Sequence, residues 1–268
     1  MTFQLTEPIL LIGLGGVGAS LAEKAKKSLN SDCLMISHDQ KDLTAENSIK
    51  ISTKSVVNPS THLIRGSTLE TSDEIKKNIA NYSTVILISN LAGKAGAGIG
   101  PIVSRICKQE QKNLLSFTIM PFKFEKERIF QSGIALKRIR QDSQCTIVVD
   151  NDALLDSNPD LTQKQCYDIS NKAIDGVMHS LKSSEISEDI NILSTGKATD
   201  DIESSLKDSL RMLYEDAPPN SIKRSILYVY GGSNIPVGVL NTISNITGGT
   251  FDENSTHVEM SSEESKVV

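Results

Sequence analysis

Apolar positions in this chain fall into short continuous runs that alternate with stripes at helical spacing. Pro8 to Ile12 is apolar and stops at Gly13, after which Val17, Leu21, Ala25 and Leu29 recur at the helical period. That change of period predicts a strand, a glycine turn and a helix. Cys33 to Ser37 predicts a second strand, ending at His38-Asp39. From Lys41 to Thr71 the chain is polar with little periodicity, which predicts loops and an irregular strand. Then come a predicted helix over Ser72 to Tyr82, a buried strand over Thr84 to Ser89, a second glycine-rich loop, a helix over Pro101 to Lys112, and a strand over Leu114 to Ile119. Strands this apolar, alternating with helices, predict an α/β fold with a largely parallel sheet covered on both faces.

Further along, a helix near Ile134 to Gln141 leads to a strand over Cys145 to Val149. Between Lys164 and Leu181, the residues Ile169, Ala173, Ile174, Val177, Met178 and Leu181 share one stripe, long enough for a central helix between two domains. INILS (190 to 194), a helix over Asp200 to Tyr214, a strand over Ile226 to Tyr230 and a helix over Pro236 to Ile246 predict a small α+β C-terminal domain. The final DENSTHVEMSSEESKVV is polar and acidic and predicts a flexible tail. The expected division is a Rossmann-like sheet domain over 1–160, the central helix over 161–184, the small domain over 185–251 and the tail over 252–268.

At 268 residues the chain is long enough for two domains. With 28 Lys and Arg against 33 Asp and Glu, a net charge of -5, it has no basic surplus to draw a nucleic acid. Small ligands or other proteins are the expected partners. Cys33, Cys107, Cys145 and Cys166 lack CxxC spacing, so neither a zinc site nor a disulfide framework is signalled. The N-terminal apolar run is too short to cross a bilayer and has no basic leader, which predicts a cytoplasmic protein without membrane insertion.

Gly13-Leu14-Gly15-Gly16-Val17-Gly18 matches G-x-G-x-x-G between a strand and a helix. Glycines let main chain approach a phosphate, and free N–H groups at a helix start favour negative charge. Asp39, about 20 residues on, is placed where an acid would meet an NAD ribose. A tight turn without a ligand is the plainer alternative. A second loop, Ala92-Gly93-Lys94-Ala95-Gly96-Ala97-Gly98-Ile99-Gly100-Pro101, also follows a buried strand and opens a helix, and two such loops could together wrap a triphosphate. There is no GxxxxGK[ST], which disfavours a P-loop enzyme.

The second loop resembles the tubulin signature G-G-G-T-G-[ST]-G, with alanines at 95 and 97. FTIMPFKFE (117 to 125) looks like the FtsZ stretch T-K-P-F-x-F-E, and VVDNDALL (148 to 155) like I-P-N-D-x-L-L. CYDISNKAIDGVMHSL (166 to 181) is similar to the start of the family's central helix, and SHDQKDL (37 to 43) to its N-T-D-x-Q-x-L. A tubulin/FtsZ-like chain is therefore the expected identity, and the resemblance implies a GTPase domain holding GTP or GDP, with magnesium as a candidate companion. It implies that Gly15, Gly16 and Gly18 face phosphates from the first loop, with Asp39 beside them, and Gly93, Gly96, Ala97 and Gly98 from the second. It places Glu125 and Arg128 at the ribose, Asn151 and Asn171 at the guanine edge, and Tyr167 against the ring. Asn carries both donor and acceptor, Tyr supplies a stacking face, and positions 167 and 171 share one helix face.

The family's catalytic loop, N-x-D-x-x-D, is not found in SSEISEDINILSTG (183 to 196), where Glu188 and Asp189 are the nearby acids. Weak or absent GTP hydrolysis is expected. Ala95 and Ala97 replace threonines, removing hydroxyl contacts to phosphate, and Lys94, where FtsZ has glycine, is expected to point to solvent. The resemblance implies a cytoskeletal or cell-division role, through head-to-tail self-association or contact with an FtsZ-like filament. The alternatives are an NAD-binding Rossmann enzyme and a nucleotide-free interaction protein derived from the same fold.

Overall fold

β2 (Ile9–Leu14) lies inside a sheet and pairs in parallel with β3 (Asp32–Ser37) on one side and β5 (Thr84–Asn90) on the other. β4 (Ser48–Lys50) extends the β3 side and β6 (Asn113–Met120) the β5 side, both in parallel. With β7 (Cys145–Asp150) and β9 (Asp189–Ile192) the order is β4-β3-β2-β5-β6-β7-β9, the largely parallel sheet expected from the apolar runs. β1 (Thr2–Phe3) pairs antiparallel with β8 (Ile186–Ser187). The computed structural model describes residues 2–54, 57–183, 186–196, 202–218, 221–222, 224–230, 238, 241, 245, 253–258 and 266–267. They form two compact units, 1–149 with 181–191, and 150–180 with 192–268.

In the first unit, chain winding reverses between β2 and β5: β3 and β4 are laid down on one side before the chain crosses to the other. α1 (Gly15–Ala25) starts directly after β2, and α4 (Lys94–Gln109) starts a short turn after β5. The core under α4 joins Leu10, Ile12, Leu34, Ile36, Val85 and Leu87 of the sheet to α2 (Thr61–Glu70) and α3 (Ser72–Ile79). Each such fully buried side chain contributes about 1.5–3 kcal/mol. α5 (Lys126–Asp142) adds Ala135 and Ile139 to a second cluster with Leu91 and Ala97.

Three helices of this unit differ from expectation. α2 forms where loops were predicted; its buried face is Ile64, Ser67 and Thr68, two of them polar, so no apolar stripe marks it in the sequence. Ser60 caps it, its hydroxyl accepting the Leu63 N–H at 3.3 Å. α4 begins well before Pro101, so most of the second glycine loop is helix. Proline cannot donate to the carbonyl one turn back, which here is that of Ala97. The Arg65 guanidinium takes that carbonyl instead, donating from Nη2 at 3.1 Å. α5 is also much longer than predicted, spanning Lys126–Asp142.

The second unit holds α6 (Asn151–Ser157), α7 (Gln163–Ser180) and α8 (Ile202–Asp216). Its sheet has β10 (Arg224–Tyr230) between β11 (Glu253–Val258), parallel, and β12 (Lys266–Val267), antiparallel. The predicted spine, α7, thus belongs to this unit, whose boundary falls at 149/150. Within the segment expected to be a tail, residues 253–258 form a strand. Main-chain pairing with β10 supplies its order, which a polar composition does not reveal. The helix predicted over 236–246 lies almost wholly outside the described residues. No described helix is long and apolar enough to cross a membrane. All four cysteines are buried and none is in a disulfide, and burial pushes Cys33 up to about 11 and Cys107 up to about 12.

Candidate functional site

At the C-terminal ends of β2 and β5 two helix starts meet. Gly15 has φ +64, a conformation that favours glycine, and a Cβ added to it would lie 3.0 Å from Ala95 Cβ. The two glycine segments therefore abut. Gly18 and Gly96 are close-approach positions: a side chain at Gly18 would come within 2.5 Å of Ile88 O, and one at Gly96 would run into Asn90 O. A Cβ at Gly98 would press on Ile64 at 2.9 Å. These three glycines let α1 rest on β5, and α4 rest on β5 and α2. Gly16 is exposed, and Gly93 precedes the first residue of α4.

Both helix starts lack caps. Of α1 to α6, only α1 and α4 have neither a side-chain cap nor an acid in the first turn. Their first N–H groups and positive dipole ends are thus left for an anion. Ala97 turns its methyl into the cluster with Leu91, Ala135 and Ile139, its N–H donates to the Gly93 carbonyl at 3.1 Å and its own carbonyl accepts from Arg65, so it braces the start of α4. Lys94 is exposed, and its ammonium donates to Asn58 Oδ1.

The turn after β3 supplies the third wall. Asp39 is engaged locally, accepting the Lys41 N–H at 3.2 Å and pairing with Lys41 Nζ at 3.1 Å. Asp42, which drew no attention in the sequence, lies closer to α1. Ser37 Oγ donates to its Oδ2 at 2.7 Å, and its Oδ1 is 2.9 Å from where a Gly16 Cβ would stand. Burial holds His38 below the usual imidazole range, with Asp39 and Asp42 pulling the other way. Its Nδ1 is buried without a hydrogen-bond partner among the described residues, as is Ser89 Oγ at the end of β5. On the far side of the same unit's sheet order, Glu125 precedes α5. Its Oε1 accepts from Arg128 Nη1 at 2.6 Å and its Oε2 from the Phe122 N–H at 3.3 Å. The two residues assigned to the ribose are therefore paired with each other.

The residues expected at the guanine belong to the second unit. Asn151 opens α6 fully buried, and its Oδ1 accepts from Ser170 Oγ of α7 at 2.7 Å. Ser170 adjoins Asn171, whose Oδ1 is buried with no hydrogen-bond partner among the described residues. Tyr167 is half-buried one turn earlier. The structure thus ties Asn151 of α6 to Ser170 of α7, beside Asn171, and leaves the Asn171 acceptor unsatisfied among the described residues. Asp150, where the family stretch I-P-N-D has proline, caps α6 by accepting the Asp152 N–H at 2.8 Å.

A parallel sheet whose winding reverses beside two uncapped, glycine-lined helix starts defines a doubly wound α/β fold of the kind that commonly receives phosphate at such helix starts. Residues 8–159 match the Tubulin/FtsZ family, GTPase domain. The chain belongs to the Tubulin/FtsZ family. Among its relatives, cell division protein FtsZ 2 of Halobacterium salinarum is 25% identical over 180 residues, covering 62% of this chain and 44% of that protein. This chain thus spans less than half the length of that relative. Among solved structures, the empty FtsZ dimer of M. jannaschii has a TM-score of 0.75 at 16% identity, over 98% of this chain and 87% of that one. CetZ from Methanosaeta thermophila has a TM-score of 0.64 at 16% identity, over 97% and 84%. These two establish likeness of fold.

Proposed function

We propose that the chain binds a guanine nucleotide, with the phosphates received at the starts of α1 and α4, and serves a cytoskeletal or cell-division role. The supporting observation is the contact between the two uncapped starts at Gly15 and Ala95, in a chain of this family. Gly15, Gly16, Gly18, Gly93, Gly96 and Gly98 would contribute main chain, Ala97 would brace the second segment, and Asp39 would contribute the neighbouring turn. Glu125 and Arg128 are assigned to the ribose. Asn151, Asn171 and Tyr167 are assigned to the base, and the orphaned acceptor of Asn171 supports that assignment, because guanine presents N–H donors. Among the described residues no group of three or more His, Cys, Asp or Glu could hold a metal ion. Magnesium would then rest mainly on phosphate oxygens and water, which is its usual habit, and would supply charge neutralisation.

Hydrolysis is proposed to be weak, since the segment after α7 lacks the acid pattern that positions water and offers the exposed Glu188 instead. Calorimetric titration with GTP, GDP, ATP and NAD tests the ligand, and phosphate release across protein concentrations tests turnover. Guanine-selective binding with slow, concentration-independent release is expected; preference for NAD, or brisk concentration-dependent release, would reverse the reading. Self-association into filaments, or docking on an FtsZ-like filament, is the proposed output. Electron microscopy with and without GTP tests it.

A second reading, a nucleotide-free interaction protein, is favoured by one observation: the first cup already holds the Asp42 carboxylate. Absence of any melting shift with GTP would select it.

A further inference from the structure

Asp42 lies in the space that the first two residues of α1 leave open. Its Oδ1 is 2.9 Å from the position of a Gly16 Cβ, and its Oδ2 is 3.9 Å from that of a Gly15 Cβ. The Ser37 hydroxyl, at 2.7 Å, is the only hydrogen-bond donor to this carboxylate among the described residues. Ser37 is itself fully buried, so the tether is anchored in the β3 end. An acid near a helix start is common and mildly stabilising, which would be reason enough for a carboxylate to rest there. Two features go further. Asp42 comes from a different segment and makes no hydrogen bond to α1. It also sits over the very glycines whose missing side chains open the cup.

We propose that Asp42 is a built-in rival for the phosphate position at the start of α1, a specificity residue that holds nucleotide affinity down until its carboxylate is displaced or neutralised. The inference rests on the nucleotide reading above and adds a residue to it. A phosphate chain entering this cup brings several negative charges to within a few ångströms of a fixed one. Two like charges about 4 Å apart oppose each other by about 1 kcal/mol in water-like surroundings and more where solvent is excluded. Removing one of them is therefore worth a gain of roughly 5- to 30-fold in affinity. A ligand without phosphates does not feel the term. Loosening the tether by Ser37→Ala lets the carboxylate swing toward solvent and relieves part of it.

The test is equilibrium binding of GTP, GDP and guanosine in EDTA to the full chain and to Asp42→Asn, Ser37→Ala and Glu46→Gln. Glu46 is an exposed acid on the same segment and controls for net charge. Expected are roughly 5- to 30-fold tighter GTP and GDP binding by Asp42→Asn, a smaller gain by Ser37→Ala, no change by Glu46→Gln, and unchanged guanosine binding. Binding by Asp42→Asn alone, with none by the parent chain, also supports the proposal. Nucleotide binding by the parent chain that Asp42→Asn fails to strengthen overturns the proposal and leaves the nucleotide reading standing. An equal gain for guanosine overturns it as well, because the effect would then not act on phosphate. No binding by any variant removes the nucleotide reading and this inference with it.

Discussion

Arg65 donates from Nη2 to the carbonyl of Ala97 at 3.1 Å, filling the acceptor that Pro101 leaves vacant one turn later in α4. The carbonyl is buried with Ala97, so losing the donor strands it. Arg65→Ala is expected to destabilise by about 1–3 kcal/mol. In a Pro101→Ala background the helix can satisfy Ala97 itself, and the same change should then cost clearly less. A double-mutant cycle by urea unfolding reads the difference; equal losses in both backgrounds would show that Arg65 acts elsewhere.

Glycines in this protein divide by what a methyl would meet. Gly96→Ala drives a methyl into Asn90 O and should prevent stable folding, while Gly15→Ala meets both a positive φ and Ala95 and should cost about 1–3 kcal/mol. Gly66 in α2 and Gly133 in α5 have nothing within 4 Å of the added atom. Alanine at either is expected to stabilise by about 0.5–1 kcal/mol, the ordinary helix-interior gain. Melting temperatures of the four variants rank these effects.

Asn171→Leu separates a ligand contact from a structural one. Removing a buried, unsatisfied acceptor and keeping a similar volume should leave the ligand-free protein as stable as before or slightly more so. The melting shift produced by GTP, about 2.7 kcal/mol at a hundred times Kd, should disappear. A lower melting point without ligand and an intact GTP shift would instead make Asn171 a packing residue.

Asp150 is held above the usual carboxylate range, first by burial, with the Asp152 charge adding to it and hydrogen bonds from Asp152, Asp216 and Ala153 opposing. The folded protein therefore keeps a proton that the unfolded chain releases, so this group's contribution is full below about 3.8, the unfolded value, and is lost as pH rises through the folded one. Asp150→Asn keeps an equivalent α6 cap and removes the buried charge. Its melting temperature should exceed the parent's at pH 7, and the gap should close toward pH 4. A gap that widens on acidification would reverse the sign.

The sheet was legible because β2, β3, β5 and β6 are buried on both faces and so appear as unbroken apolar runs. α2 was not, since Ser67 and Thr68 take positions where a pattern reading looks for hydrocarbon. The true start of α4 was hidden for a related reason: Gly96, Gly98 and Gly100 read as loop, yet each is helical and chosen for the atoms pressed against it. Of the candidate site, the glycine segments stood out by motif, and Asn171 by the resemblance of 166 to 181 to the family's central helix. Asp42 did not. Its position in N-T-D-x-Q-x-L is left open, and its neighbours are glycines of a distant segment, which no residue pattern encodes. The strand at 253–258 was concealed by polar side chains that say little about main-chain pairing.

Gly18 sets α1 on the carbonyl of Ile88 and Gly96 sets α4 on that of Asn90, two residues apart on the same strand. Both helices are thereby keyed to one stretch of main chain, and the spacing of their N-termini is set by packing on the sheet. Threonines can give way to Ala95 and Ala97, and an acid can settle at Asp42, with the frame undisturbed. In such a construction, selection can retune or abandon a ligand one side chain at a time while the shape that once received it is passed on intact.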